Sequence, residues 1–230
     1  MITFACVWRD HGYYTAEWIA KLAAGVKRHY PHPHRFVCLT DYAEPIEGAE
    51  TIKLEHNWPK YWSKIELFRP NLFDGPVMYF DLDVLITGSL EPLVQDWPNM
   101  VMITDHLPEI DNSSLMYWDA RDSFYEGIYL NFAGTPERFM RIHAAKEHVA
   151  DFGDQEYIGH YLKRGGRPAM RWQDILPSEW FIEFCAMGRI NPIVERNIQS
   201  TDLKVAFCLG IPKFHDVPHV HLVKNNWYTD

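Results

Sequence analysis

Two aspartates stand one residue apart at the end of an apolar run, where Val77-Met78-Tyr79-Phe80 leads straight into Asp81-Leu82-Asp83. In a strand, residues i and i+2 face the same way. As this strand ends, both carboxylates can converge on one small volume. Two carboxylates that close repel each other unless a cation lies between them. A hard divalent ion with oxygen ligands meets that need, and it commonly holds substrate phosphates as well. An Asp-x-Asp triplet alone is ordinary in solvated loops. Its position after a buried strand is what points to a metal.

Three other clusters could act with it. His215, Asp216, His219 and His221 lie close together near the C-terminus. They read either as a His-rich surface tail or as the source of an imidazole that completes the shell begun by Asp81 and Asp83. A mixed carboxylate and imidazole shell suits Mn²⁺ better than Mg²⁺ or Ca²⁺. Asp154-Gln155 follows Gly153 at the start of a helical pattern, a place where aspartate is also a common cap. Asn112-Ser113-Ser114 leads into an apolar run and by itself reads as a turn.

The elements that must position these groups alternate. Apolar runs at 3–7, 36–39, 51–54, 77–80 and 101–104 predict short buried strands. Trp18, Ile19, Leu22, Ala23 and Val26 recur at helical spacing between the first two. One or two helical turns are expected over 63–72, broken at Pro70. This alternation predicts an α/β domain with a mainly parallel sheet. The second half is less regular, with strands expected at 114–118 and 204–209 and helices at 137–149 and 154–163. No linker or repeat divides the chain, so residues 1–230 read as one domain.

Composition narrows the function. Asp and Glu number 31 against 22 Lys and Arg, a formal charge of −9, which argues against a general nucleic-acid binder. No apolar run approaches the roughly 18 residues of a membrane span. The N-terminal Met1 to Val7 carries no basic region and reads as a strand, not a signal peptide. Cys6, Cys38, Cys185 and Cys208 show no metal-binding spacing. They are expected to be reduced, buried thiols in a cytoplasmic protein.

Taken together, five stretches resemble the glycosyltransferases of family 8, which have the GT-A fold. They are Tyr61-Trp62-Ser63-Lys64-Ile65-Glu66-Leu67-Phe68, Val77 to Val84 around the acidic pair, Asn112-Ser113-Ser114-Leu115-Met116, Asp154-Gln155, and Phe214-His215-Asp216-Val217-Pro218-His219-Val220-His221. They occur in family order across nearly the whole chain. The resemblance implies a Rossmann-like, mainly parallel sheet flanked by helices. It also implies a metal-dependent, retaining transfer of a hexose from a UDP-sugar to a glycan, lipid-linked sugar or protein acceptor. Asp81, Asp83 and His215 then match the metal ligands, with Mn²⁺ or else Mg²⁺ as the ion. Lys64 matches a basic residue that reaches the donor. Asp105, Asn112 and Ser113 match groups that hold donor-sugar hydroxyls, and Asp154 and Gln155 match the pair at the reacting face. Tyr13 or Tyr14 is placed to stack on uracil. Trp58, Trp62, Trp180 and Trp227 are candidates for an acceptor groove.

The last stretch departs from the family pattern. Asp216 stands where glycine is usual, and His219 stands where a lysine pairs with the diphosphate. A neutral imidazole does not match that lysine's charge near pH 7. Protonated His219, Lys213 or Lys224 would compensate for the lost charge. The departure also motivates a second reading, a nucleotide-sugar-binding module with little or no turnover. A haloacid-dehalogenase-like phosphatase fits less well, because Leu85 stands where that family wants threonine or valine. A nucleotidyltransferase fits poorly too, since Arg9-Asp10-His11-Gly12 holds a single glycine.

Overall fold

The strand β1 (Ile2–Trp8) is followed by the helix α1 (Ala16–His29), then β2 (His34–Thr40) and β3 (Glu50–Lys53). A 3-10 helix at Lys60–Phe68 precedes β4 (Pro76–Phe80), β5 (Val84–Ile86), β6 (Val101–Thr104) and β7 (Asp111–Asp119). Next come α2 (Glu126–Gly134), α3 (Pro136–Ala144) and α4 (Gly153–Arg164). The chain continues through β8 (Met170–Arg171), α5 (Trp172–Ile175), β9 (Phe181–Ala186), β10 (Arg189–Ile190), α6 (Pro192–Glu195), β11 (Val205–Leu209) and α7 (His221–Asn226). The computed structural model describes residues 1–10, 12–105, 110–144, 153–186, 188–195 and 202–228.

Seven strands form the main sheet in the order β3-β2-β1-β4-β7-β6-β8. Neighbours from β3 through β4 are parallel, as are β6 and β8, while β7 runs antiparallel to both β4 and β6. The expected mainly parallel sheet is therefore present. Strand alternation sorts the core into two layers. Phe4, Cys6, Trp8, Met78 and Phe80 face α1 and the second sheet. Ala5, Val77 and Tyr79 face the 3-10 helix, α2 and α4.

That second sheet, β10-β9-β11-β5, was not expected from the sequence. Its strands are short, and β5 holds only three residues. The helix α2 was also unforeseen. It buries Ile128 and Phe132 but leaves Leu130 exposed, so its sequence carries no clean apolar stripe. The expected strand at 114–118 begins earlier, at Asp111, and absorbs the polar residues that read as a turn. The helix expected over 137–149 is described only as far as Ala144, so Val149 lies outside the described residues.

Candidate active site

Parallel strands end together, and the residues just past those ends share one face of the sheet. Here β1 delivers Arg9, β2 delivers Asp41 and β4 delivers Asp81. β7 runs the other way, so its first residues arrive at the same edge. The Asp81 amide donates to the Ser114 carbonyl (2.9 Å), which sets Asn112 and Ser113 beside the acidic pair. The N-terminus of α4 closes the far side. A cavity of about 780 Å³ lies between these elements. Ten of the twelve residues singled out as metal, donor or catalytic groups line it: Tyr13, Tyr14, Lys64, Asp81, Asp83, Asp105, Asn112, Ser113, Asp154 and Gln155.

Asp81 and Asp83 do not lie on one continuous strand. The Val84 amide donates to the Asp81 carbonyl (3.1 Å), so the triplet forms a tight turn. β4 before it belongs to the main sheet and β5 after it to the small one. The two carboxylates consequently have different partners. Asp81 Oδ1 sits 3.0 Å from Lys64 Nζ and also accepts from the Tyr79 hydroxyl, two residues earlier on the same strand face. Asp83 Oδ2 accepts from the Tyr14 hydroxyl (3.0 Å) and from Lys213 Nζ.

Lys64 is 5% exposed. Its ammonium donates to Ser113 Oγ (2.8 Å) and stands 3.0 Å from Asp154 Oδ2 as well as from Asp81. Ser113 Oγ in turn donates to Asp154 Oδ2 at 2.8 Å. Burial pulls the lysine toward neutrality, and Asp154 and Asp81 outweigh it, so the ammonium is held charged. For Asp81, burial pushes the carboxyl up, but Lys64 and Tyr79 leave it below the ordinary carboxylate range. For Asp83, burial and the charge on Asp81 keep the carboxyl raised despite Lys213. Asp154 is raised as well, chiefly by burial.

A third group is neutral in its donors. Asp105 Oδ2 accepts from Asn112 Nδ2 (3.0 Å) and Gln155 Nε2 (3.2 Å). Asn112 Oδ1 caps the Ser114 amide at 2.8 Å. The polar start of β7 is buried because each of these groups finds a partner. Gly153, at φ +50°, starts α4 against the ring of Tyr61, where an added Cβ would collide with the ring. That approach brings Asp154 to Lys64 and Gln155 to Asp105.

His215 and His219 fall outside the cavity lining. The His215 ring packs on Tyr13 (centroids 4.6 Å apart) and edge-on to Trp18 (5.0 Å). Its Nε2 lies 3.3 Å from Asp216 Oδ1. His219 is exposed. Among the described residues, no three His, Cys, Asp or Glu side chains come together as a metal shell. Asp81 and Asp83 nevertheless fit a hard divalent ion. Both are oxygen donors on one turn, both line the cavity, and each is now balanced by a lysine ammonium. The Tyr13 hydroxyl donates to Asp216 (2.8 Å), and burial together with that carboxylate pushes it up to about 12. The tryptophans named for an acceptor groove do not line the cavity. Trp58, Trp62 and Trp227 are buried in the core, and Trp180 lies part-buried against it. Tyr79 and Lys213 are the site residues that motif reading ranked too low. An i, i+2 relation to Asp81 was the available signal for Tyr79.

By sequence, the chain matches no family model and no curated protein. Its backbone does match solved structures. A crystal structure of an active-site mutant of LgtC superposes with a TM-score of 0.63 at 13% identity, over 92% of this chain and 89% of that one. Galactosyltransferase LgtC in complex with donor and acceptor sugar analogs gives 0.62 at 14%, over 99% and 97%. The chain has the GT-A fold. The apo form of glycosyltransferase GlyE from Streptococcus pneumoniae TIGR4 gives 0.59 at 11% identity, covering 92% of this chain but 55% of GlyE. No helix among the described residues is long and apolar enough to cross a membrane.

Proposed function

We propose that the chain is a nucleotide-sugar-dependent glycosyltransferase that moves a hexose from a UDP-sugar to a sugar-bearing or protein acceptor, with retention of configuration. The observation that carries this reading is the meeting of three polar groups in one strand-end cavity: Asp81 with Asp83, Lys64 with Ser113 and Asp154, and Asp105 with Asn112 and Gln155. A divalent ion held by Asp81 and Asp83, manganese before magnesium, would supply Lewis-acid stabilisation of the diphosphate leaving group. His215 would need to leave its packing on Tyr13 and Trp18 to join them.

The chain's own residues account for the remaining steps. Asp105, Asn112 and Gln155 form a fixed carboxylate–amide set that orients sugar hydroxyls, and fixed orientation is worth several kcal/mol of barrier. Lys64 is locked in place by three partners and adds fixed positive charge near the leaving group. Asp154 is bound to Lys64 and Ser113, and the Gln155 amide is a weak nucleophile engaged with Asp105. Both facts favour attack by the acceptor on the leaving-group side over a covalent sugar adduct on either residue.

A second reading, a nucleotide-sugar-binding module with little turnover, is favoured by the exposed position of His219. One experiment separates them. A panel of nucleotide sugars is tested for Mn²⁺-dependent hydrolysis by the purified chain and by Asp83→Ala. Hydrolysis of a UDP-hexose that is lost in the variant supports the transferase. Binding of UDP without hydrolysis or transfer supports the inert module. Unchanged metal-dependent binding by Asp83→Ala overturns the assignment of Asp83.

A further inference from the structure

Each acid of the Asp81–Asp83 turn is gripped by a tyrosine hydroxyl. Tyr79 donates to Asp81 Oδ1, and Tyr14 donates to Asp83 Oδ2 at 3.0 Å. We infer that Tyr79 and Tyr14 are positioning residues, which fix the two carboxylates so that a divalent ion meets preset oxygens and not freely turning side chains. This rests on the divalent ion of the reading proposed above, and it adds two residues that touch neither the ion nor the sugar.

Both tyrosines are themselves held still. Tyr79 lies within β4, paired to Ala5 on β1 and to Met116 on β7, and it is 2% exposed. Its ring also carries the Lys64 ammonium, 5.1 Å from the centroid. One side chain thus supports both members of the Lys64–Asp81 pair, the cation by its ring and the acid by its hydroxyl. Tyr14 stands between β1 and α1. Its ring meets Trp18 edge-on at 5.1 Å and Tyr13 at 5.7 Å, and its carbonyl accepts from Trp8 Nε1 at 3.2 Å. Asp83 takes its hydrogen bonds on Oδ2, from Tyr14 and Lys213, and Oδ1 has no partner among the described residues.

Charge separates these hydroxyls from the lysines that touch the same acids. An ammonium repels an arriving cation. A neutral hydroxyl does not, so it orients a carboxylate without competing for it. A side chain already fixed in place also has less rotational freedom to lose when the ion binds. Partners of this kind, one bond removed from a metal, typically account for about 10- to 100-fold in metal affinity. Asp81 and Asp83 sit on one short turn yet are fixed from two directions, Asp81 from its own strand and Asp83 from the segment after β1. Their relative orientation is therefore set by the fold and not by the turn alone.

The test compares the chain with Tyr79→Phe and Tyr14→Phe, each of which keeps the ring and removes one hydroxyl. Tyr125→Phe is the control. It is a buried tyrosine away from the cavity, with its hydroxyl 3.4 Å from Arg167 Nη2. Thermal melting verifies folding, and Mn²⁺ affinity is read by electron paramagnetic resonance without nucleotide. Each of the first two variants is expected to bind Mn²⁺ about tenfold more weakly, and the control as tightly as the original chain. Saturating Mn²⁺ is expected to restore kcat for hydrolysis of the UDP-hexose, because the defect lies in holding the ion. Unchanged Mn²⁺ affinity in both variants overturns the proposal, as does an equal loss in the control. Should Tyr79→Phe not fold, Tyr14→Phe decides, since that side chain is only part-buried. The two readings fail separately. Sugar transfer by a chain that binds no Mn²⁺ defeats the positioning role and leaves the transferase. Weakened Mn²⁺ binding in the variants of a chain that uses no nucleotide sugar defeats the transferase and leaves the positioning role.

Discussion

Asp154 meets Lys64 at 3.0 Å across the cavity, one from the first turn of α4 and the other from the 3-10 helix before β4. Each arrives from a separate part of the chain, and each is nearly without solvent contact. The pair therefore reports whether the two halves of the site are assembled.

Replacing Lys64 by methionine leaves the buried Asp154 and the part-buried Asp81 without their shared cation. Breaking a buried pair from one side costs about 3–5 kcal/mol. For a chain of this size the melting temperature is expected to fall by about 10 °C. Differential scanning calorimetry checks this. A shift within a degree or two would mean that Lys64 is not held as described.

Asp105→Asn keeps the shape of the side chain and removes its charge. Asn112 and Gln155 then lose a charged acceptor for their amides. Charged hydrogen bonds of this kind are worth about 1.5–3 kcal/mol, so kcat/KM for the donor is expected to fall by about 10- to 100-fold. Steady-state kinetics on the hydrolysed nucleotide sugar decides it, with Mn²⁺ affinity expected to hold.

Gly153→Ala forces two costs at once. The backbone there is left-handed, and the new Cβ runs into the Tyr61 ring. Helix α4 must shift, taking Asp154 and Gln155 with it. Activity is expected to fall at least as far as in Asp105→Asn. Gly134→Ala, where an added Cβ meets nothing within 4 Å, is the control and should leave activity in place.

All four cysteines are free and buried. Burial and the neighbouring Cys38 push the Cys6 thiol up, and the Cys185 side chain together with burial does the same to Cys208. The hydrogen bond with Cys208 lowers the Cys185 thiol instead, so the slowing of disulfide exchange common to all four rests on low access. Ellman's reagent is expected to find almost no fast-reacting thiol in the native protein and all four after guanidinium unfolding. A fast native thiol would contradict the packing of β9 against β11.

Much of this site was legible because strand ends obey a simple geometry. An apolar run ending in Asp81-Leu82-Asp83 had to point its acids at the open edge of a parallel sheet. Ser113 and Asn112 were harder to read. Polar composition suggested a turn, yet they open a buried strand because Lys64, Asp154, Asp105 and the Ser114 amide satisfy them. Those partners come from distant sequence that no local pattern reveals. His215 shows the opposite failure. Its place in a motif was clear, but the direction of an imidazole on a short turn depends on which aromatic rings it packs against, here Tyr13 and Trp18. Of the small sheet only the strand expected at 204–209 was read, as β11; β5 and β10, at three and two residues, give too little pattern to recognise, and β9 was missed.

The turn from Asp81 to Asp83 joins β4 to β5 and so is one of the covalent steps between the large sheet and the small one, beside the segments that join β5 to β6 and β8 to β9. Lys64 ties its first carboxylate to the large-sheet side, and Lys213, just beyond β11, ties the second to the small-sheet side. The floor of the cavity is thus a seam with one rivet on each bank. Any sliding of one sheet along the other would therefore change the spacing of the two acids, and with it the shape of the cavity floor.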